Sequence, residues 1–362
     1  MREHGEDQDL LFDTLRMVAP GTVLHEGLES ILRARTGALI VLGDSPEVLQ
    51  LVNGGFQINS ETNPSALYEL AKMDGAIILS RDAKRILFAN AHLTPDPRIG
   101  TSETGMRHRT AERVARQTGE IVISISQRRN VITIFRGSMR YILQDVGVLL
   151  TKANQALSTL EKYRSVLEQS LSNLTALELE NLATLTDVVT CLQRAQMVSR
   201  VAREIERYVV ELGVEGRLVS MQLEELMTGI GNSGLLIVKD YAVLDEETSP
   251  RDLVKKIDSW SAEELLDLAL IAKLLGYGHA MNNLDLPVTP RGYRVLHKIP
   301  RLPAPVIENI VKTFRTLPEI FGASIDELDD VEGIGAVRAK AIKDGLRRLR
   351  EQVVVDRHIQ DM

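Results

Sequence analysis

Ile121-Val122-Ile123-Ser124-Ile125-Ser126-Gln127-Arg128-Arg129-Asn130-Val131-Ile132-Thr133-Ile134-Phe135 is the stretch that decides the fold of the N-terminal part of the chain. Residues 121–126 and 130–135 carry the β-branched side chains that suit a pleated, buried surface. The polar Gln127-Arg128-Arg129 between them suits a hairpin, which makes the sheet at least partly antiparallel. Working outward, residues 38–42, 76–79 and 85–89 read as further strands. Helical patterns occupy residues 10–17, 23–32 and 65–73, the last with Asn63-Pro64 as its start. Residues 1–147 are therefore expected to form an α/β domain with a mixed sheet.

The next stretch differs in kind: residues 148–212 run for 65 positions without a Gly or Pro. Leu157, Leu160, Leu167, Leu171, Leu174, Leu177, Leu185, Val188, Leu192 and Val201 recur mostly at three, four or seven residue intervals, as the apolar face of a helix requires. The expectation is an all-α spine over residues 148–288, serving as a rigid connector or as an oligomerisation element. Within it, Gly229-x-Gly231-x-x-Gly234 has the spacing of a dinucleotide-binding fingerprint. That fingerprint needs a strand before it and a helix after it. Here a helical 223–227 precedes it and residues 235–238 read as strand-like, so a glycine turn is the better reading.

Composition bounds the function classes. With 44% hydrophobic and 26% charged residues over 362 positions, the chain is globular and long enough for two or three domains. Cys191 is the only cysteine, which excludes an internal disulfide or a thiolate zinc cluster and fits a reducing, cytoplasmic setting. No apolar run approaches the roughly 20 residues of a membrane helix, so no membrane association is expected. No Gly-x-x-x-x-Gly-Lys-Ser/Thr phosphate loop and no His-x-x-x-His pair occurs. The net charge of −7 argues against general affinity for nucleic acid, but residues 291–350 hold 12 Lys+Arg against 8 Asp+Glu, a local +4. That surface is either a modest phosphate-binding face or simply solvated.

Chemistry concentrates in the first domain. Asp74-Gly75-Ala76 stands at a helix-to-strand junction, and taken alone is a common turn. Arg107 follows Asp74 by 33 residues, within Gly105-Met106-Arg107-His108-Arg109-Thr110, which opens a helix expected to stop at Gly119. Three basic side chains thus gather at a helix N-terminus, where the dipole disfavours each cation by about 0.3–1 kcal/mol. A surface basic cluster is the plain alternative. A bound polyphosphate would reverse the sign, since each charge-assisted bond from Arg is worth about 1.5–3 kcal/mol and the open N–H groups also favour an anion.

These two motifs, with Leu93 in Ala91-His92-Leu93-Thr94 and the run from Ser124 to Asn130, resemble the paired motif of diadenylate cyclase domains. The resemblance extends over essentially the whole chain to diadenylate cyclases that scan DNA integrity and carry a C-terminal helix-hairpin-helix. It implies condensation of two ATP into cyclic di-AMP with release of two pyrophosphates. By that resemblance Asp74 holds Mg²⁺ or Mn²⁺ and helps the ribose 3′-hydroxyl become a nucleophile. Gly75 and Ala76 leave space for the nucleotide, Leu93 contacts the base, and Met106, Arg107, His108, Arg109 and Thr110 surround the phosphates, whose terminal groups Ser126 reaches. Asp74, Gly75, Arg107, His108 and Arg109 are the expected catalytic set. Each such domain holds one ATP, so two must face each other, which implies a homo-oligomer, an octamer. Arg128 and Arg129 serve that interface, the phosphates, or neither, as a solvated hairpin tip.

Residues 289–362 carry a second signal in Val331-Glu332-Gly333-Ile334-Gly335, followed by Ala339 and Ile342, which resembles a helix-hairpin-helix. A Gly-x-Gly turn of this kind lets backbone N–H groups approach a DNA phosphate, while Ala339 and Ile342 pack the second helix. A degenerate copy lies 32 residues earlier, where Ile299-Pro300-Arg301-Leu302-Pro303 lacks both glycines and Ile307 and Ile310 take the packing positions. Gly333, Ile334, Gly335, Lys340, Lys343 and Arg301 are the candidate DNA contacts, each basic one having a solvent-exposed alternative. The resemblance implies branched DNA such as recombination junctions, and a role in sensing DNA damage for repair. A DNA-binding adaptor that senses ATP without catalysis is the competing reading; it expects a disrupted metal or phosphate motif, and both are intact.

Overall fold

The computed structural model describes residues 2–244, 248–278 and 284–360. In chain order the first part comprises α1 (Arg2–Val18), α2 (Val23–Arg33), β1 (Ala38–Leu42), α3 (Pro46–Leu51), β2 (Val52–Asn53), β3 (Phe56–Glu61), α4 (Pro64–Leu70), β4 (Ala76–Leu79), β5 (Arg85–Leu93), α5 (Met106–Thr118), β6 (Ile121–Ser126), β7 (Val131–Arg136) and β8 (Met139–Ile142). The strands form one mixed sheet in the order β2-β5-β4-β1-β6-β7-β8, with β3 also paired to β5. Only β1 and β4 run parallel; the 121–135 stretch is the antiparallel β6–β7 hairpin its sequence predicts.

Alternation along the strands builds two cores. In β1, Ala38, Ile40 and Leu42 join Leu28 and Ile31 of α2 and Leu67 of α4 on one face. Leu39 and Val41 face the other way, with Val48 and Leu51 of α3 and Ala111, Val114 and Ala115 of α5. Burial on both faces explains why β1 and β4 read as unbroken apolar runs. Sequence reading stops β5 at residue 89 and omits α3, β2, β3 and β8. Of these, β3 presents almost only exposed positions, and its apolar alternation is limited to Phe56 and Ile58, too short to mark a strand.

The chain divides into two compact units, residues 1–155 with 205–222, and residues 156–204 with 223–362. The glycine-free stretch is not one helix but two, α6 (Val146–Glu180) and α7 (Leu185–Leu212). The break is local chemistry. Asn181 takes a left-handed φ of 59°, and the Leu182 N–H returns to the Leu177 carbonyl at 2.8 Å. Asp187 then accepts from the Thr184 N–H at 2.9 Å and its hydroxyl at 2.6 Å, fixing the start of α7.

Next come α8 (Arg217–Met227), α9 (Ser233–Tyr241), α10 (Pro250–Asp258), α11 (Ala262–Leu266) and α12 (Leu268–Leu274). Residues 235–238 are therefore helical, not strand-like: a short apolar run has too little length for periodicity to separate the two. The rejection of a dinucleotide fingerprint stands, because helix α8 rather than a strand precedes the glycines. The C-terminal part holds α13 (Tyr293–His297), α14 (Ala304–Phe314), α15 (Leu317–Gly322), α16 (Ile325–Asp329) and α17 (Ala336–Gln360). Ile307, Ile310, Ala339 and Ile342 are all buried in its core, as the two-hairpin reading requires.

The second unit holds a cluster of buried charge. Arg294 of α13 pairs with Glu178 of α6 at 2.5 Å, and both side chains are almost fully enclosed. Tyr241 donates to the same Glu178 oxygen at 2.6 Å, and Asp240 accepts from the N–H groups of Gly292, Tyr293 and Arg294 at 2.7–2.9 Å. Burial and the Glu178 charge push the Asp240 carboxyl up.

Candidate active site

Sheet topology brings the two motifs together. Because β1 and β4 run parallel and β5 and β6 run against them, the start of β1, the start of β4, the end of β5 and the end of β6 share one edge of the sheet. Helix α5 enters at that edge with Gly105 as its N-cap and no side-chain cap. The N–H groups of Met106, Arg107 and His108 are therefore left open, the first helical bond being Arg109 N–H to the Gly105 carbonyl at 2.9 Å. Asp74, fully exposed, comes within 3.7 Å of Arg107 Nη2.

Each neighbour sets one side chain. Arg107 lies across Gly37, where any side chain would collide with its guanidinium. His108 rests edge-on against Phe135, with Nδ1 3.2 Å from the Ser124 hydroxyl. Burial holds its imidazole below the ordinary histidine value; Glu103 opposes this, and the charges of Arg129, Arg140 and Arg107 add to it. Arg109 and Thr110 are half-buried in the first turns of α5 and Met106 is exposed. Ser126 takes the Arg129 N–H at 3.2 Å, so its hydroxyl helps shape the hairpin tip on which Arg128 and Arg129 are exposed.

Two positions have clear duties in the protein itself. A side chain at Gly75 would collide with the backbone of Asn90, so the space this glycine leaves is taken by β5 rather than held open for a nucleotide. Asn90, with φ 53°, accepts the Gly75 N–H at 3.0 Å. Leu93 is only 7% exposed and packs in the α5-side core, and Ala76 is buried beside it.

Several site residues escape sequence reading. Glu112 is buried and gathers the Thr101 hydroxyl, the Ser102 N–H at 3.0 Å and Arg116 at 2.6 Å, which pins the loop ahead of α5. Glu103 is held by Arg140 of β8 at 2.6 Å beside His108. Its partner lies 37 residues away, beyond any local pattern, whereas Glu112 and Arg116 at i,i+4 are the one signal available. A cleft of about 920 Å³ lined by Ser80, Arg81 and Arg85 lies at the opposite end of β4 and shares none of these residues.

At the C-terminus Gly333 has φ 83°, a conformation that favours glycine, and Ile334 is buried. Arg301 and Lys340 are exposed. Lys343 instead donates to the Phe321 carbonyl at 2.8 Å, so its ammonium is committed inside the domain. Among the described residues no helix is long and apolar enough to cross a membrane.

The edge of the sheet thus carries an open helix N-terminus with Arg107 beside the exposed Asp74 carboxylate, and the comparisons place the domain in a class. Residues 25–139 match the family model described as the DisA bacterial checkpoint controller nucleotide-binding domain, and residues 143–284 match the DisA linker region. The chain is 60% identical over 354 residues to the DNA integrity scanning protein DisA of Symbiobacterium thermophilum, covering 98% of this chain and 100% of that protein. It is 60% identical to the protein of that name from Carboxydothermus hydrogenoformans, over 93% of this chain and 96% of the relative. The chain belongs to the DisA family, and its N-terminal domain is a nucleotide-binding domain of the diadenylate cyclase type.

Proposed function

We propose that the protein condenses two ATP molecules into cyclic di-AMP and two pyrophosphates, across two copies of this site facing each other from separate subunits, and that its C-terminal hairpins bind branched DNA. The observation that carries the enzymatic reading is the uncapped start of α5 with Arg107 and Arg109 on its first turns and Asp74 within 3.7 Å of Arg107. Phosphoryl-type transfer asks mainly for alignment and charge neutralisation, which such an arrangement supplies. The open N–H groups and the two guanidiniums bind the phosphates. His108, oriented by Ser124, offers its other ring nitrogen to them.

Among the described residues no group of three or more metal-ligating side chains lies together, and Asp74 is the carboxylate assigned to the ion. That fits Mg²⁺ or Mn²⁺, which is commonly held by one or two carboxylates together with substrate phosphates. Such an ion, when bound, lowers the energy of the attacking 3′-alkoxide and of the departing pyrophosphate. With one Asp74 and one α5 per chain, a single domain supplies one ATP site. The second ATP must come from another subunit, so oligomerisation, as in an octamer, is part of the reaction.

For DNA, Gly333, Gly335 and the N–H groups at the start of α17 are the phosphate contacts, with Lys340, Arg301 and Arg338 around them. Incubating the protein with ATP and Mn²⁺ and resolving products by chromatography tests the enzyme. Cyclic di-AMP from the wild type and its loss in Asp74→Asn, with thermal midpoint unchanged, is the expected result. No product from the wild type under oligomer-forming conditions would favour the ATP-sensing adaptor.

A further inference from the structure

The two hairpins do not repeat each other chemically, although their backbones do. Thirty-two residues separate Gly333, φ 83°, from Arg301, φ 61°, so both turns use the same left-handed corner. Their following helices differ in donors. At the start of α17, Gly335, Ala336 and Val337 all keep an N–H, and the first return bonds come from Arg338 and Ala339 to the Gly335 carbonyl. At the start of α14, Pro303 and Pro305 have no N–H, leaving Ala304 alone between them. A phosphate therefore finds its donors at the second hairpin and not at the first.

Between the two turns lies an open groove of about 620 Å³, within the size range of small-molecule sites, about 300–1,000 Å³. Ile299, Pro300 and Leu302 form one wall, and Val337 and Ala341 form the other. Val337 is 88% exposed, so its apolar surface is open to a ligand in the groove. Arg301 and Arg338 also line it, Arg338 with Nη1 donating to the Gly333 carbonyl and so bracing the turn, and no carboxylate does. The groove thus pairs apolar walls with positive charge, beside the open N–H groups of α17.

Resting on the DNA-binding reading above, we infer that this groove receives one unstacked nucleobase of a branched DNA, while the Gly333–Gly335 turn holds the adjoining phosphate. The apolar walls match the face of a base and would desolvate a phosphate without replacing its hydrogen bonds. The arginines and the helix end match the backbone on either side of that base. In an intact duplex every base face is covered by its neighbours, and exposing one costs unstacking energy. At a branch point a base lacks a stacking partner on one face, so its entry costs less than from a continuous duplex. The groove is therefore the element that separates branched from continuous DNA, and the phosphate contacts are shared by both.

The test uses the full-length protein with a four-way junction carrying 2-aminopurine at the branch point and with a duplex of the same sequence. Fluorescence anisotropy reads affinity, and 2-aminopurine emission reads stacking. Emission is expected to change on binding the junction. Val337→Ser should weaken junction binding about tenfold, equal to 1.4 kcal/mol, with duplex affinity held within about twofold, while Val337→Leu retains junction binding. Replacing Gly333 and Gly335 together with alanine should weaken both DNAs alike. If Val337→Ser and Val337→Glu bind the junction like the wild type, or lose both DNAs in equal measure, the groove does not take a base. A change in oligomer mass in these variants, with junction affinity intact, would assign the groove to a second copy of the chain and overturn the proposal. Wild-type protein that binds neither DNA overturns the DNA reading itself, an outcome distinct from loss of the groove's selectivity alone.

Discussion

The start of α5 and the cluster around Arg294 both collect charge, and they treat it in opposite ways. Around Arg294 the charges meet partners inside the fold, although among the described residues Glu178 Oε2 itself accepts no hydrogen bond: the guanidinium holds Glu178 Oε1 at 2.5 Å and Thr175 at 3.2 Å, and Asp240 takes three backbone N–H groups. At α5, Arg107 has only a distant, solvent-facing Asp74, and among the described residues Arg109 has no recorded partner. Buried charges need partners within the fold, because an unpaired one has a large desolvation cost. Charges left open at a helix end that disfavours them point to a partner from outside. The same side-chain type is thus paired inside the fold in one unit and left open at a helix end in the other.

The largest effect should come from breaking the paired region. Arg294→Met leaves Glu178 and Asp240 without their cation and is expected to destabilise the second unit by about 3–5 kcal/mol. At about 2–4 °C per kcal/mol, thermal unfolding should fall by about 6 °C or more. A midpoint within a degree of wild type would mean that the cluster is not held by its charges.

The unpaired region should respond in reverse. Arg109→Gln removes a cation from the wrong end of a helix, so the ligand-free protein should be unchanged or more stable, by up to about 1 kcal/mol. ATP binding should weaken by the worth of a charge-assisted hydrogen bond, about 1.5–3 kcal/mol, measured by calorimetry. A loss of stability with ATP affinity retained would reassign Arg109 to the fold.

Gly75 tests whether every residue of the site belongs with the open charges. Because the backbone of Asn90 fills the space where a side chain would lie, Gly75→Ala should destabilise the first unit by about 1–3 kcal/mol, the usual range for forced overpacking. A normal melting curve with ATP binding lost would return that space to the nucleotide.

These contrasts also mark what the sequence made legible. Strands β1 and β4 were readable because burial on both faces leaves an unbroken apolar run, β6 because its β-branched residues are interrupted only by Ser124, and the stop of α5 was readable in Gly119, whose φ of 72° suits a C-terminal glycine. The exposed β3 was not, because its alternation is confined to Phe56 and Ile58. The break in the long helical stretch had a signature, Asn181 followed by Thr184 and Asp187, but the absence of Gly and Pro outweighed it. Asp74 and Arg107 were readable as a pair only through resemblance, since the sheet that joins them at 3.7 Å is a long-range fact. A glycine in a motif states that room is needed and not what fills it, which is how Gly75 was read as space for a ligand.

The smallest expected effect is also the most direct measure of what the open region is for. His108 is held below its ordinary value, chiefly by burial, with Arg107, Arg129 and Arg140 opposing a further positive charge. Its folded value thus lies below its unfolded one of about 6.5. Between the two the unfolded chain binds the extra proton, so His108's contribution to stability is present above that pH and lost as pH falls through the folded value. Bound phosphates reverse the sign, since a nearby anion favours the imidazolium. Stability of the ligand-free protein should therefore decline below about pH 6.5, while ATP affinity gains a component that grows over the same interval. Both slopes should be missing in His108→Asn. If ATP affinity and stability instead decline in parallel, and both slopes survive the substitution, His108 faces the interior at all times and the phosphates are held by the arginines and the open N–H groups alone.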